Sequence, residues 1–179
     1  VPPLSTLHQV VLPTSAATLS STFENFAASR CIDGNRDSFC HSIMDDTNPH
    51  LILDLQQDRR IDYVVVWNRR GCCQDRLAYH EISTATESSP DDFSSVCSRS
   101  TAPATEGPFY HACAHEARYI RLQLPGSTRT LNLAEVEVYA EPFSPPTPPT
   151  PPPVEGDVRL ANGTTLAGTT MEGRVEVYH

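Results

Sequence analysis

The chain has 179 residues, which is enough for one domain with a substantial core and for additional segments. Its formal charge is −9, with 22 acidic residues against 13 basic ones, so neither a nucleic-acid-binding surface nor attraction to anionic membranes is expected. The longest apolar run is far shorter than the roughly 20 residues that cross a bilayer, which argues against membrane insertion.

Five segments have the composition of β-strands. Apolar and polar residues alternate in several of them, as in Ile120 and Leu122 against Tyr119 and Arg121. No stretch has a sustained helical period, and turn signals fall between the segments at 33–35 and 125–127. The pattern predicts an all-β domain, an antiparallel sandwich or barrel, with strands at 50–55, 60–67, 79–85, 117–124 and 134–140.

The cysteines indicate an oxidising compartment. Zinc sites usually contain C-x2–4-C pairs, and the spacing here offers none. Disulfides are therefore favoured over zinc or free thiols, and an even count allows fifteen full pairings. The six residues are Cys31, Cys40, Cys72, Cys73, Cys97 and Cys113.

The stretch "NRRGCCQDR" at 68–76 contains two adjacent cysteines among arginines. Neighbouring cysteines usually bond to two different partners, because a disulfide between them closes a strained ring. The four other cysteines can also pair locally, which would leave Cys72 and Cys73 to each other. Both arrangements stay open from the residues alone.

The chain after residue 141 has a different composition. Residues 142–154 include "SPPTPPTPPP" and are expected to form a semi-rigid, proline-rich linker. The final segment, 155–179, contains "VRLANG" and "GRVEVYH" and resembles the start of a scavenger receptor cysteine-rich (SRCR) domain, which would make it a partial β domain. Asn162 begins a glycosylation sequon.

Several motifs in residues 1–141 resemble the F-type lectin (fucolectin) domain, a fucose-binding module with a discoidin-like β-sandwich of the jelly-roll type. They are "ASRCIDGN", "NPHLILDL", "VVVWNRRGCCQDRL", "RYIRLQLPG" and "LNLAEVEVYA". The resemblance implies that His41, Arg69 and Arg76 hydrogen-bond fucose, while a Cys72–Cys73 disulfide packs against the sugar ring. It also fits local Cys31–Cys40 and Cys97–Cys113 pairs.

The sequence departs from the family pattern near these residues. The family has an aspartate two residues after the first arginine, where it can orient the cationic donors, and this chain has Gly71. Asp75 is the candidate substitute. The interval between His41 and Arg69 also differs slightly, which makes His50 the other candidate histidine.

The loop "IDGNRDSF" at 32–39 resembles the calcium loop of the same family. The alternative interpretation is an Asx-type turn without metal. Calcium prefers six to eight oxygen ligands, and its role here would be structural. By correspondence the ligands are the carbonyl oxygens of Arg30, Phe39 and Ala134 and the side-chain oxygens of Asp33, Asn35 and Glu135.

These observations lead to two functional hypotheses. The first is an extracellular, secreted or cell-surface module that binds fucosylated glycans and belongs to a multidomain adhesive or defence protein that can be oligomeric. The second is a structural module whose sugar site has decayed, with other extracellular glycoproteins as partners. No nucleophile elbow, phosphate loop or metal-hydrolase helix is present, so an enzyme is not expected.

Overall fold

The computed structural model describes residues 8–140, 158–160 and 175–177. The chain divides into two compact units, Val1–Phe143 and Ser144–His179. In the second unit, Val158–Leu160 pairs antiparallel with Val175–Val177. The predicted linker, Asn162 and the remainder of the SRCR-like segment lie outside the described residues.

The first unit is an antiparallel β domain, and the described residues include no α-helix. Three short 3-10 turns are present, at Thr14–Ala16, Ala28–Cys31 and Gln74–Arg76. None of the helices described has the length and apolar character needed to cross a membrane. The strands are β1 (His8–Gln9), β2 (Ala17–Leu19), β3 (Cys40–His41), β4 (His50–Asn68), β5 (Tyr79–Ala85), β6 (Ser95–Thr101), β7 (Phe109–Gln123) and β8 (Asn132–Ala140).

The predicted all-β class is confirmed, but two details of the strand prediction were wrong. The segments 50–55 and 60–67 form one strand, because β4 continues through a register shift between Asp54 and Arg59 and bends at Gln56, where φ is +70°. The sequence analysis also missed β6 and the first half of β7. These stretches are rich in serine, alanine and histidine and lack a clear apolar alternation.

The main path through the sheet is β1-β8-β4-β7-β5-β6, with β2 paired to β4 and β3 paired to β8. The first half of β4 lies between β2 and the second half of β7, whereas its second half lies between β8 and the first half of β7. The two long strands, β4 and β7, therefore run through both halves of the domain: a first half that contains β2 and a second half that contains β8. β7 also contains a residue with positive φ, Ala114 at +58°.

Both halves contribute to one hydrophobic core. Leu53 and Leu122 come from the first half, and Val64 and Val138 from the second, all at most 2% exposed. The predicted alternation in β7 is confirmed, since Ile120 and Leu122 are buried while their neighbours are only partly so. Burial of these side chains stabilises the fold by about 1.5 to 3 kcal/mol each.

Two buried histidines add a polar chain to this interior. His80 Nδ1 donates to the carbonyl oxygen of Ala78 at 3.1 Å, so its Nε2 accepts from His111 Nε2 at 3.2 Å. His111 Nδ1 in turn accepts from the Ser98 hydroxyl at 3.0 Å. Every ring nitrogen is satisfied while both rings are neutral.

One end of β8 organises the region of the predicted site. His41 of β3 pairs with Asn132, and Asn68 at the end of β4 pairs with Leu133. The Asn68 amide donates to the carbonyl oxygens of Gln74 and Thr105, at 2.8 and 3.1 Å. Through these contacts the sheet fixes the loop that follows β4.

Candidate functional site

The six cysteines form three disulfides. The pairs are Cys31–Cys40, Cys72–Cys73 and Cys97–Cys113, the same ones that the lectin resemblance implies. No cysteine is free, so thiolate ligands for zinc are not available. The first pair joins a 3-10 turn to β3, immediately before His41.

The loop after β4 turns back towards β3. Gly71 has φ of +81° and Cys73 has φ of +65°, and the 3-10 turn Gln74–Arg76 follows. Left-handed conformations on both sides of Cys72 reverse the chain sharply within a few residues. The reversal brings Arg76 to His41, although 35 residues separate them in the sequence.

The Arg76 guanidinium donates to the imidazole of His41. Arg76 Nη1 lies 3.0 Å from His41 Nε2, while His41 Nδ1 bonds to the carbonyl oxygen of Ser42. Nδ1 therefore carries the proton, and Nε2 accepts. Burial is the main cause that lowers the pKa of His41, and the charges of Arg76 and Arg69 lower it further, against the opposing effect of the Ser42 bond.

Arg69 lies next to this pair. Its guanidinium carbon is 3.8 Å from the centroid of the Phe39 ring, a cation–π contact. Burial lowers the pKa of Arg69, and so does the nearby positive charge of Arg76. Among the described residues, neither guanidinium is ion-paired to a carboxylate, and Arg69 Nε is buried without a hydrogen-bond partner.

The sequence analysis missed a set of aromatic side chains around His41. The rings of Phe23, Phe26 and Phe39 lie 5.3, 6.1 and 6.3 Å from the His41 ring, and Phe26 stacks on Phe39 at 4.6 Å. All three are half-buried. They lie in loops without periodicity, so only the grouping of aromatics on both sides of the "DGN" turn could have indicated them.

Asn132 is a second residue that the sequence analysis missed. It pairs with His41 across the β3–β8 ladder and is 1% exposed. Neither amide atom has a hydrogen-bond partner among the described residues. It lies two residues before the strand predicted at 134–140, and that position gave no sign of this environment.

The two substitutes considered from the sequence do not join the cluster. Asp75 is exposed, and within residues 8–140 its carboxylate makes no hydrogen bond or ion pair with Arg69 or Arg76. The His50 ring bonds instead to the carbonyl oxygen of Asn48 at 3.0 Å, at the head of β4. The structure thus brings together Arg69, Arg76 and His41 beside the Cys72–Cys73 loop.

The predicted calcium loop closes over β8. The Gly34 amide donates to Glu135 Oε2 at 3.1 Å, and the amides of Asn35 and Asp37 donate to the side chains of Asp33 and Asn35. Glu135 is only 4% exposed. Burial and the charge of Asp33 raise the pKa of Glu135 to about 7.

The donor set of this loop fits a hard cation. Asp33, Asn35 and Glu135 supply side-chain oxygens, and the Arg30 carbonyl is close enough for the Ser38 hydroxyl to bond to it at 3.2 Å. Oxygen ligands from carboxylates, amides and carbonyls are those that calcium prefers. The same contacts also form a closed Asx-type turn, which is the alternative considered from the sequence.

The NedA-like, galactose-binding domain family matches residues 30–122. Fucolectin from Anguilla anguilla is 35% identical over 122 residues, which cover 64% of this chain and 77% of that protein. Fucolectin-6 from Anguilla japonica is 33% identical over 121 residues, with 63% of each chain covered. The chain therefore spans less than two thirds of the length of this second relative.

The crystal structure of an F-lectin (fucolectin) from striped bass (Morone saxatilis) serum has a similar fold. Its TM-score is 0.61 at 28% identity, and the match covers 69% of this chain and 46% of that one. These relatives are lectins and not enzymes, in agreement with the prediction from sequence. The chain belongs to the fucolectin, or F-type lectin, family, and its β domain is a discoidin-like, galactose-binding-type domain of carbohydrate-binding proteins.

Proposed function

We propose that the domain binds glycans that carry a terminal fucose or a related deoxy sugar, through Arg69, Arg76, His41 and the Cys72–Cys73 disulfide. The observation that carries the proposal is the pair of guanidiniums held beside the imidazole, neither of which is ion-paired to a carboxylate within residues 8–140. The fucolectin relatives support the same sugar class.

The chemistry of the cluster suits a deoxy sugar. Guanidinium N–H groups are donors only, and they match the ring oxygen and hydroxyl acceptors of a pyranose. The half-buried disulfide offers an apolar surface on the same loop, and a 6-deoxy sugar has a methyl group for such a contact. Polar donors would therefore fix the orientation of the sugar, and apolar contact would add affinity.

The second candidate is a structural or protein-interaction module. Gly71 supplies no carboxylate to orient the two arginines, and Asp75 does not take that role among the described residues. Without such a partner the guanidiniums keep more rotational freedom, and fixing them on a ligand costs conformational entropy. Under this alternative the domain would bind extracellular glycoproteins through another surface.

Titration of the purified protein with L-fucose separates the two candidates. We expect heat of binding at millimolar sugar in the presence of calcium, and no comparable heat with L-galactose, which differs from L-fucose only by a hydroxyl group on carbon 6. The absence of fucose binding under these conditions would reject the lectin function and leave the structural candidate.

Calcium is proposed as a structural ligand of the 32–39 loop. Asp33 and Asn35 come from one part of the chain and Glu135 from another, so a shared ion would stabilise only the native state. At a calcium concentration of about 100 times Kd the stabilisation is about 2.7 kcal/mol. We therefore expect EDTA to lower the Tm by roughly 5 °C or more.

Glu135→Gln provides the matched control for calcium. The amide keeps an oxygen near the Gly34 N–H but removes the charge, so the response of the Tm to EDTA should disappear. An equal Tm of the unsubstituted protein with and without EDTA would eliminate calcium from this loop.

An extracellular location is part of the proposal. Three disulfides within one domain persist in oxidising surroundings. The striped bass fucolectin is a serum protein, which is in line with secretion. Fucosylated glycans on cell surfaces or on other glycoproteins are accordingly the proposed partners.

A further inference from the structure

The positive charges in the domain are unequally neutralised. Although the chain carries a net charge of −9, the two arginines of the candidate site have no carboxylate partner in the described part of the chain. Among the ion pairs within residues 8–140, those at 2.7 to 3.2 Å include four other arginines: Arg36, Arg70, Arg99 and Arg118.

The difference in ion pairing is clearest between two adjacent residues, Arg69 and Arg70. Arg70 pairs with both Asp37 and Glu106, whereas Arg69 turns its guanidinium onto the Phe39 ring. In the described part of the chain, the one hydrogen bond of the Arg76 guanidinium is to the uncharged acceptor Nε2 of His41. The charges of Arg69 and Arg76 also act on each other, and this repulsion is not offset locally.

A neutral sugar would leave this charge imbalance in place. Its hydroxyl groups can accept hydrogen bonds, but they cannot neutralise two cations that are partly removed from water. An oxyanion between the guanidiniums would accept hydrogen bonds and also neutralise positive charge, because each planar guanidinium can donate to two oxygens of the same group. A deoxy sugar has no carbon-6 oxygen to oxidise, so an ester on a ring hydroxyl is the simplest source of an oxyanion.

We propose that the preferred ligand is a sulfated fucose, with the sulfate ester bound between Arg69 and Arg76. The inference rests on the proposed function, since it concerns the same site. Hydrogen bonds with a charged partner are worth about 1.5 to 3 kcal/mol. One such additional bond corresponds to an affinity roughly ten- to a hundredfold higher than that for unmodified fucose.

The test compares L-fucose with monosulfated L-fucose esters by isothermal titration at low and at physiological salt. We expect at least one ester to bind about tenfold more tightly or better, and the advantage to shrink as salt screens the charges. Inorganic sulfate should compete with the bound ester. Esters that bind no better than fucose would overturn this inference and leave the proposed function intact, while no binding of any of these sugars would overturn both.

Two substitutions of Gly71 separate the effect of an added negative charge from the effect of an added side chain. Gly71 has φ of +81° and an added Cβ would meet nothing within 4 Å, so Asp and Asn fit equally and share the same backbone strain. Gly71→Asp places a carboxylate two residues after Arg69 and should abolish the preference for the ester while fucose still binds. Gly71→Asn should keep the preference. An ester preference that survives in Gly71→Asp would show that the unpaired arginines are not its origin.

Discussion

Replacing Arg76 with alanine is expected to abolish measurable binding of L-fucose. Arg76 contacts His41 at 3.0 Å, so its loss removes one donor from the site and leaves the imidazole without its partner. Hydrogen bonds with a charged partner contribute about 1.5 to 3 kcal/mol each, so one or two lost bonds weaken binding roughly ten- to several-hundredfold. Isothermal titration measures this directly.

The fold should survive this substitution. Arg76 is half-buried in a loop and is not part of the hydrophobic core, so the Tm and the circular dichroism spectrum should change little. Arg70→Ala is the matched control, because it removes the same charge from the same loop but from a guanidinium already engaged by Asp37 and Glu106. Equal fucose affinity in Arg76→Ala and in the unsubstituted protein would locate the site elsewhere.

Acidification is expected to destabilise the domain through the buried histidine pair. Burial, and to a smaller extent the charge of His80, lowers the pKa of His111 from 6.5 to about 4. Between about pH 4 and pH 6.5, the unfolded chain therefore binds a proton at His111 more readily than the native state does. The free energy of unfolding should fall as the pH drops below about 6.5, by about 3 kcal/mol from His111 alone when the pH reaches 4.

The hydrogen-bond chain explains why protonation is costly here. His80 Nε2 accepts from His111, so a proton on His80 Nε2 would oppose an existing donor. A proton on His111 Nδ1 would require the Ser98 hydroxyl to turn and accept instead of donating. Burial is also the main cause that lowers the pKa of His80, and the charge of Arg129 lowers it further. Within residues 8–140, no carboxylate offsets the low pKa of either histidine.

Urea unfolding at pH 7.5 and at pH 4 measures this loss in the unsubstituted protein and in His111→Gln. Glutamine can bond to Ser98 and His80 but does not titrate, so the variant should be less stable at pH 7.5 and should lose less stability on acidification. Carboxylates contribute in both proteins and cancel in the comparison. The same pH dependence in both would contradict a role for His111.

The alternation of Ile120 and Leu122 with Tyr119 and Arg121 was sufficient to predict the inward face of β7, because burial of one strand face is a local property of the sequence. The continuity of β4 was not predictable in this way. Its polar middle, "QQDRR", reads as a loop, and only the pairing with the antiparallel neighbour β7 on both sides of the register shift shows that one strand continues through it.

The candidate site, too, could be predicted only in part. The motif around Cys72 identified Arg69, Arg76 and the disulfide loop, since those residues are close in sequence. The contact of Arg76 with His41, and the placement of Arg69 over Phe39, depend on how β3, β4 and β8 converge. No periodic pattern in the sequence predicts contacts between residues so far apart in the chain. The same is true of the ion pairing that distinguishes Arg70 from Arg69.

Strand β8, which lies between the short edge strand β1 and β4, also determines how the domain would respond to tension. His8 pairs with Ala140, so the chain enters and leaves at one end of β8, whereas Asn132 and His41 lie at the other end, roughly 25 Å away. Force applied between residues 8 and 140 would unzip the two-residue strand β1, one hydrogen bond at a time. Force between a glycan held at the site and residue 140 would instead run along β8 and load its ladder with β4 in shear, so that many hydrogen bonds share it. With this geometry the domain would yield easily when residues 8 and 140 are drawn apart, and would resist force applied between residue 140 and a ligand at the candidate site.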